Sequence, residues 1–224
     1  MRSQKIRLKL TKEQENLAWW YSKVSRNFWN LLVDIDKRNN KGEFDEILNK
    51  NGNKTYYSKF HNRDVYNLNE SDYRNLAKFV IAKNCEDDSE KWSWYYQPNQ
   101  SFIYSFLSRE LVQIRKQNKG KLNFRSVDKI EPNFDVRCGV SSNNKRPSRI
   151  YLKENGKLQI PTIGDVKFGS VRKGFDLSGK KQIAKISFDG KYWYLSYTED
   201  VETSVTNLPD YTDGIGIDLG IKTL

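Results

Sequence analysis

An α+β fold is predicted, a small antiparallel β-barrel carrying a helical insertion between its first and second strands. Three observations lead there. Ile6, Leu8 and Leu10 alternate with Lys5, Arg7 and Lys9, the period-2 signature of a half-buried strand with a basic outer face. From Lys12 onward apolar residues recur at helical spacing, and after Phe124 the period returns to two. One short strand cannot stand alone, so the partners of residues 4–10 must come from the later β-rich part.

The first helix opens at Thr11, whose spacing to Gln14 fits a capping box, and runs to about Lys37. Leu17, Trp20, Val24, Phe28, Leu31 and Ile35 form its apolar stripe. Lys23, Arg26 and Asn30 lie on the other side, a solvated face or a row along a phosphate backbone. Residues 38–70 are polar and Asn-rich, which suggests a surface excursion. Within it Tyr56, Tyr57 and Phe60 either anchor the loop or stack on unpaired bases. A short helix is expected from Ser71 to about Asn84, with Leu76, Phe79 and Val80 inward. The tract Glu86-Asp87-Asp88-Ser89-Glu90 reads as a solvated loop. Pro98 introduces a second long helix with Phe102, Phe106, Leu111 and Ile114 in register, ending in Arg115 and Lys116. Those cations complement the helix dipole and would also suit a phosphate contact.

Beyond Phe124, Phe134, Val136, Cys138 and Val140 alternate as a strand. Ile150-Tyr151-Leu152 and Leu158-Gln159-Ile160 flank the turn dipeptide Asn155-Gly156, Val166 and Phe168 add a strand, and Ala184 to Phe188 pair across Asp189-Gly190 with Tyr192 to Thr198. Short strands joined by tight turns imply closure into a small barrel.

Composition narrows the partners. A net charge of +11 attracts polyanions, and no apolar run nears the roughly 20 residues that span a bilayer, so nucleic acid is favoured over membrane. The 13% aromatic content argues against a disordered polar chain. Cys85 and Cys138 are far apart and form neither a disulfide framework nor a zinc motif, which points to a cytoplasmic setting, nucleoid-associated where DNA is the partner. With His61 as the one histidine, in a polar tract, imidazole-based catalysis is disfavoured. The run Gly214-Ile215-Gly216-Ile217-Asp218-Leu219-Gly220 reads as a buried strand carrying one carboxylate, which would be costly unless paired or bound to a metal.

The basic first strand, the capped aromatic helix, Phe124-Arg125-Ser126, the stretch from Gly156 to Lys167, Lys191-Tyr192-Trp193-Tyr194-Leu195-Ser196-Tyr197-Thr198 and the terminal Gly-Ile-Asp-Leu-Gly, in this order, resemble the TnpB proteins of insertion sequences, relatives of compact type V CRISPR effectors. The resemblance implies a wedge domain (1–10 and 127–208), a helical recognition lobe (11–126) and the start of a RuvC-like nuclease of RNase H fold (209–224). It further implies a guide RNA and double-stranded target DNA as partners, with a short transposon-adjacent motif read by the protein and base pairing doing the rest. Asp218 matches the first catalytic carboxylate and prospective Mg2+ ligand of a two-metal nuclease. The remaining acidic ligands and the zinc ribbon of the family fall beyond Leu224, so the expectation is binding without cutting, unless a second copy or another chain completes the nuclease. Sugar-kinase-like ATPases share Gly-x-Asp-x-Gly but place it at their N-terminus. The alternative function is a nuclease-free repressor of the same family. Tyr56, Asn99 and Gln100 fall where the family reads the adjacent motif; Lys23, Arg26, Arg115, Lys116, Arg125, Arg137, Arg149, Lys167 and Arg172 are the basic candidates for nucleic-acid contact.

Overall fold

The computed structural model describes residues 2–96, 101–118, 122–126, 132–137, 150–161, 163–169 and 183–199. Strand β1 (Arg2–Lys9) buries Ile6 and Leu8, as its alternation requires. Helix α1 (Lys12–Lys41) starts on the expected capping box: Thr11 Oγ1 accepts the Gln14 N–H at 3.3 Å, and Gln14 Oε1 accepts the Thr11 N–H at 3.1 Å. The Gln14 amide also donates to the Asp165 carbonyl at 2.9 Å, tying the helix start to the sheet. Val24, Phe28, Leu32 and Ile35 are fully buried, each contributing about 1.5–3 kcal/mol of apolar transfer. The helix outlasts the expected end at Lys37 because its polar last turn finds partners. Arg38 bridges Asp34 and Glu43, and the buried Asn39 amide donates to the Tyr66 carbonyl at 3.0 Å. Gly42 then stops it at φ 86°, where an added Cβ would run into the Arg63 guanidinium.

The polar excursion contains structure that its sequence does not advertise. Helix α2 (Asp45–Lys50) inserts Leu48 into the core, and β2 (Thr55–Ser58) pairs antiparallel with β3 (Arg63–Tyr66) in a separate hairpin. Helix α3 (Glu70–Asp87), capped by Asn69, buries Tyr73, Leu76, Ala77, Val80 and Ile81. Phe79, expected inward, is 46% exposed because the buried stripe passes through 73, 76, 77, 80 and 81. A short helix α4 (Ser89–Trp92) and a 3-10 turn (Ser93–Tyr95) precede α5 (Ser101–Asn118). In α5 the buried set is Ile103, Tyr104, Leu107, Ser108 and Leu111. Phe102, Phe106 and Ile114 are only half-buried, so the inward face is rotated from the expected one.

The remaining strands are β4 (Asn133–Arg137), β5 (Tyr151–Leu152), β6 (Leu158–Ile160), β7 (Gly164–Phe168), β8 (Ile183–Phe188) and β9 (Trp193–Glu199). With β1 they form one antiparallel seven-stranded sheet in the order β4-β8-β9-β1-β7-β6-β5. β1 pairs β9 along Arg2–Arg7 and β7 along Leu8–Lys9, and so joins the two halves. The β8–β9 turn is centred on Gly190-Lys191, one residue later than expected, since the Asp189 N–H reaches the Tyr192 carbonyl.

The expected barrel is corrected: among the described residues the sheet is open, with β4 and β5 at its edges. Its apolar face is covered by α1. Tyr21 packs on Phe134 with centroids 5.7 Å apart, and Trp19 on Phe188 at 4.9 Å and Trp193 at 5.3 Å. A helix therefore does the burying that an opposing barrel wall would do, and the two-residue β5 offers too few groups to complete a ring. One apolar core runs through α1, α3, α5 and the sheet. No described helix is long and apolar enough to cross a membrane. The expected nuclease strand at 214–220 lies outside the described residues.

Candidate nucleic-acid interface

Since β1 turns Ile6 and Leu8 toward α1, it turns Lys5, Arg7 and Lys9 the other way. β9 buries Trp193, Leu195 and Tyr197, which leaves Tyr194 and Ser196 on that same outer face. Register puts Lys5 opposite Ser196 and Arg7 opposite Tyr194, so each cation reaches an aromatic ring on the diagonal. Lys5 Nζ lies 4.3 Å from the Tyr194 ring centroid and the Arg7 guanidinium 3.3 Å from that of Tyr192, with Lys191 Nζ 5.2 Å from Tyr192 as well. One step along, Lys9 is directly opposite Lys167 of β7. Like charges opposite one another destabilise a sheet, so this pair favours a bound anion.

The acids of this face are already satisfied. Asp165 is 2.8 Å from Lys153, and Asp135 is 3.3 Å from Lys185. Asp189 accepts the Tyr192 N–H at 2.8 Å and the Lys191 N–H at 3.0 Å, and these backbone bonds hold its carboxyl below the usual range. Burial, followed by Asp189, pushes the Tyr194 phenol up and keeps it a donor. What remains for an incoming ligand is positive: among the described residues Arg7, Lys9, Lys167 and Lys191 form no ion pair with a carboxylate, and Lys5 acts on Asp189 only at a distance.

A second basic feature lies on α1. Asn16, Trp19, Trp20, Lys23 and Arg26 fall at helical i, i+3, i+4, i+7 and i+10 spacing and, with Pro132, line a groove of about 470 Å³. Trp19 is 40% exposed there, its other side held by Phe188 and Trp193. Lys23 and Arg26 have no ion-pair partner among the described residues.

Of the sequence-expected residues, Lys23 and Arg26 thus share the groove, and Lys167 stands on the outer sheet face. Lys116 is exposed at the end of α5, and Tyr56 is exposed on β2. Arg115 and Arg125 are turned inward. Arg115 Nε donates to Asp36 at 2.8 Å; burial works against its charge, and Asp36, Tyr73 and Tyr56 more than offset this. Arg125 lies 4.2 Å from the Trp29 ring centroid and 3.3 Å from Glu110, and its N–H donates to Asn30 at 2.7 Å. Arg137 ends β4, and its side chain lies outside the described residues, as do Asn99, Gln100, Arg149, Arg172 and Asp218. Among the described residues no group of three His, Cys, Asp or Glu is placed to hold a metal, and Asp218, the expected Mg2+ ligand, is not one of them.

Trp19, Lys5, Arg7, Lys9, Lys191, Tyr192 and Tyr194 were not among the expected contacts. Their signal was present: the alternation of 5, 7 and 9 against 6 and 8, and of 192 and 194 against 193 and 195, places two rows on one face. Neither a protein-family model nor a curated protein matches this chain, so the interface rests on geometry and sequence pattern.

Proposed function

We propose that this chain is the guide-RNA- and target-DNA-binding portion of a TnpB-like RNA-guided endonuclease, with the outer sheet face as its main RNA-binding surface. The observation that carries the reading is the row of cations that lie diagonally over Tyr192 and Tyr194 and end in the Lys9–Lys167 opposition. Cations recur every second residue along β1, about 6.8 Å apart, a spacing that tracks a backbone of phosphates. The Tyr192 and Tyr194 rings steady the Arg7 and Lys5 cations by cation–π contact, and cations on phosphates do not select among bases. Such a surface holds a scaffold and leaves sequence reading to base pairing, which is the division of labour of RNA-guided recognition. In this reading Asp218 belongs to the nuclease centre, and Mg2+ would be the cofactor of cleavage.

The test is filter binding of a structured RNA and of duplex DNA across a salt series, using the parent and a Lys5→Ala/Arg7→Ala variant checked for folding by circular dichroism. Removing two phosphate contacts is expected to lower the slope of log affinity against log salt by about 1.4 where the contacted segments of the RNA are single-stranded. An unchanged slope and affinity would remove the sheet face from the account. Tight duplex binding in the absence of RNA would instead favour a repressor.

A further inference from the structure

The α1 groove has a chemistry the outer sheet face lacks: a concave wall made of indole rings beside two cations. We infer that it is a pocket for one unpaired nucleotide, with its base against Trp19 and its phosphate between Lys23 and Arg26. This rests on the reading of the chain as a nucleic-acid binder and adds a single-nucleotide subsite to it.

Trp19 is fixed along one side by Phe188 and Trp193 and is 40% exposed as a residue, so the indole is held in place before anything binds. A fixed aromatic plane costs little further ordering when a base stacks on it. Lys23 and Arg26 are three residues apart on the same side of the helix, with Cβ atoms about 5–6 Å apart, close enough to share one phosphate. Among the described residues neither is paired with a carboxylate, so both charges are available. Asn16 supplies amide donors and an acceptor at the end of the groove away from Arg26. A base within a duplex has both faces stacked on its neighbours, and the indole is then denied it; an unpaired base is not so restricted. The volume of about 470 Å³ is within the usual range for a small-molecule pocket.

A single-stranded tetranucleotide containing 2-aminopurine, whose fluorescence falls on stacking, is the probe. The parent chain is expected to quench it saturably, and a longer blunt duplex is not expected to compete with it. Trp19→Ala should weaken binding by about 5- to 160-fold. Trp19→Phe, which keeps an aromatic ring against Phe188, should recover most of the affinity and guards against a folding defect. Lys23→Ala/Arg26→Ala should lower the salt slope by about 0.7, one phosphate. Unchanged affinity in Trp19→Ala overturns the pocket. If that happens while Lys5→Ala/Arg7→Ala still weakens RNA binding, the sheet-face reading stands alone. If the tetranucleotide depends on Trp19 and the sheet variant is silent, the pocket stands and the sheet-face reading falls.

Discussion

Asp36 is 4% exposed, and a bare carboxylate there would be strongly disfavoured. Its Oδ1 accepts Tyr73 Oη–H at 2.7 Å and Arg115 Nε–H at 2.8 Å, and Asn40 completes the set by donating to Oδ2 and accepting from Arg115. Burial, then the adjacent carboxylate, pushes the Tyr73 phenol well above its ordinary value, so it remains a donor at any physiological pH. Three helices meet at this one charge. Asp36→Ala is expected to destabilise the fold by about 3–5 kcal/mol, since it strands the guanidinium and the phenol, whereas Lys116→Ala, one residue beyond Arg115, should change stability by less than about 0.5 kcal/mol. Urea denaturation of the two variants compares them, and similar midpoints would mean that Arg115 is as free as its neighbour. Sequence could nominate Arg115 and Lys116 only as a pair, because the partner that distinguishes them is 79 residues away.

At the scale of the element, β4 carries an acidic residue on an edge strand, with Asp135 directly opposite Lys185 of β8. Burial raises the Asp135 carboxyl, and Lys185 and then Arg125 only partly pull it back. A raised folded pKa means that the stabilising contribution of this group is full below the ordinary value of 3.8 and is lost as pH rises through the folded value. Asp135→Asn is therefore expected to be more stable than the parent at pH 7, with the difference shrinking toward zero by about pH 4. Urea midpoints at the two pH values check it; a loss of stability at pH 7 would show that the Lys185 pair outweighs the cost of burial.

Elements also divide clearly into those the sequence discloses and those it does not. α1 is legible from its capping box and long apolar stripe, because both signals are local. The β2–β3 hairpin is not: β2 exposes Thr55, Tyr56 and Tyr57 in succession, and Val65 is the one residue of the two strands that is buried, so no alternation is written there. Phe60, at 80% exposure, shows that an aromatic residue in a polar tract need not anchor anything. The basic row on β1 could be read from its own alternation. Its opposition to Lys167 could not, because register between strands so distant in sequence is set by tertiary assembly.

Across the whole molecule, the order of the sheet differs most from the order of the chain. β1 is its fourth strand, between β9 and β7, and without it the sheet separates into β4-β8-β9 and β7-β6-β5. A chain lacking residues 1–10 is expected to keep the helical circular dichroism of α1, α3 and α5 and to lose amide protection in the strands. A synthetic peptide of residues 1–10 should restore that protection in trans. Strand protection that persists without the peptide would show that the two halves are stable by themselves. The Gln14 bond to the Asp165 carbonyl and the Trp19 contacts with Phe188 and Trp193 bind the helices to whichever half is present, and so favour recovery over aggregation.

On a ribosome, β1 emerges long before either partner. Between Lys9 and Gly164, where β7 begins, the ribosome must add more than 150 residues, roughly 8 to 30 s of elongation at bacterial to eukaryotic speeds. For that interval the basic strand has helices beside it and no sheet to join. Nascent chains are made amid RNA, so on the proposed reading an RNA can meet Lys5, Arg7 and Lys9 before the surface they belong to has formed.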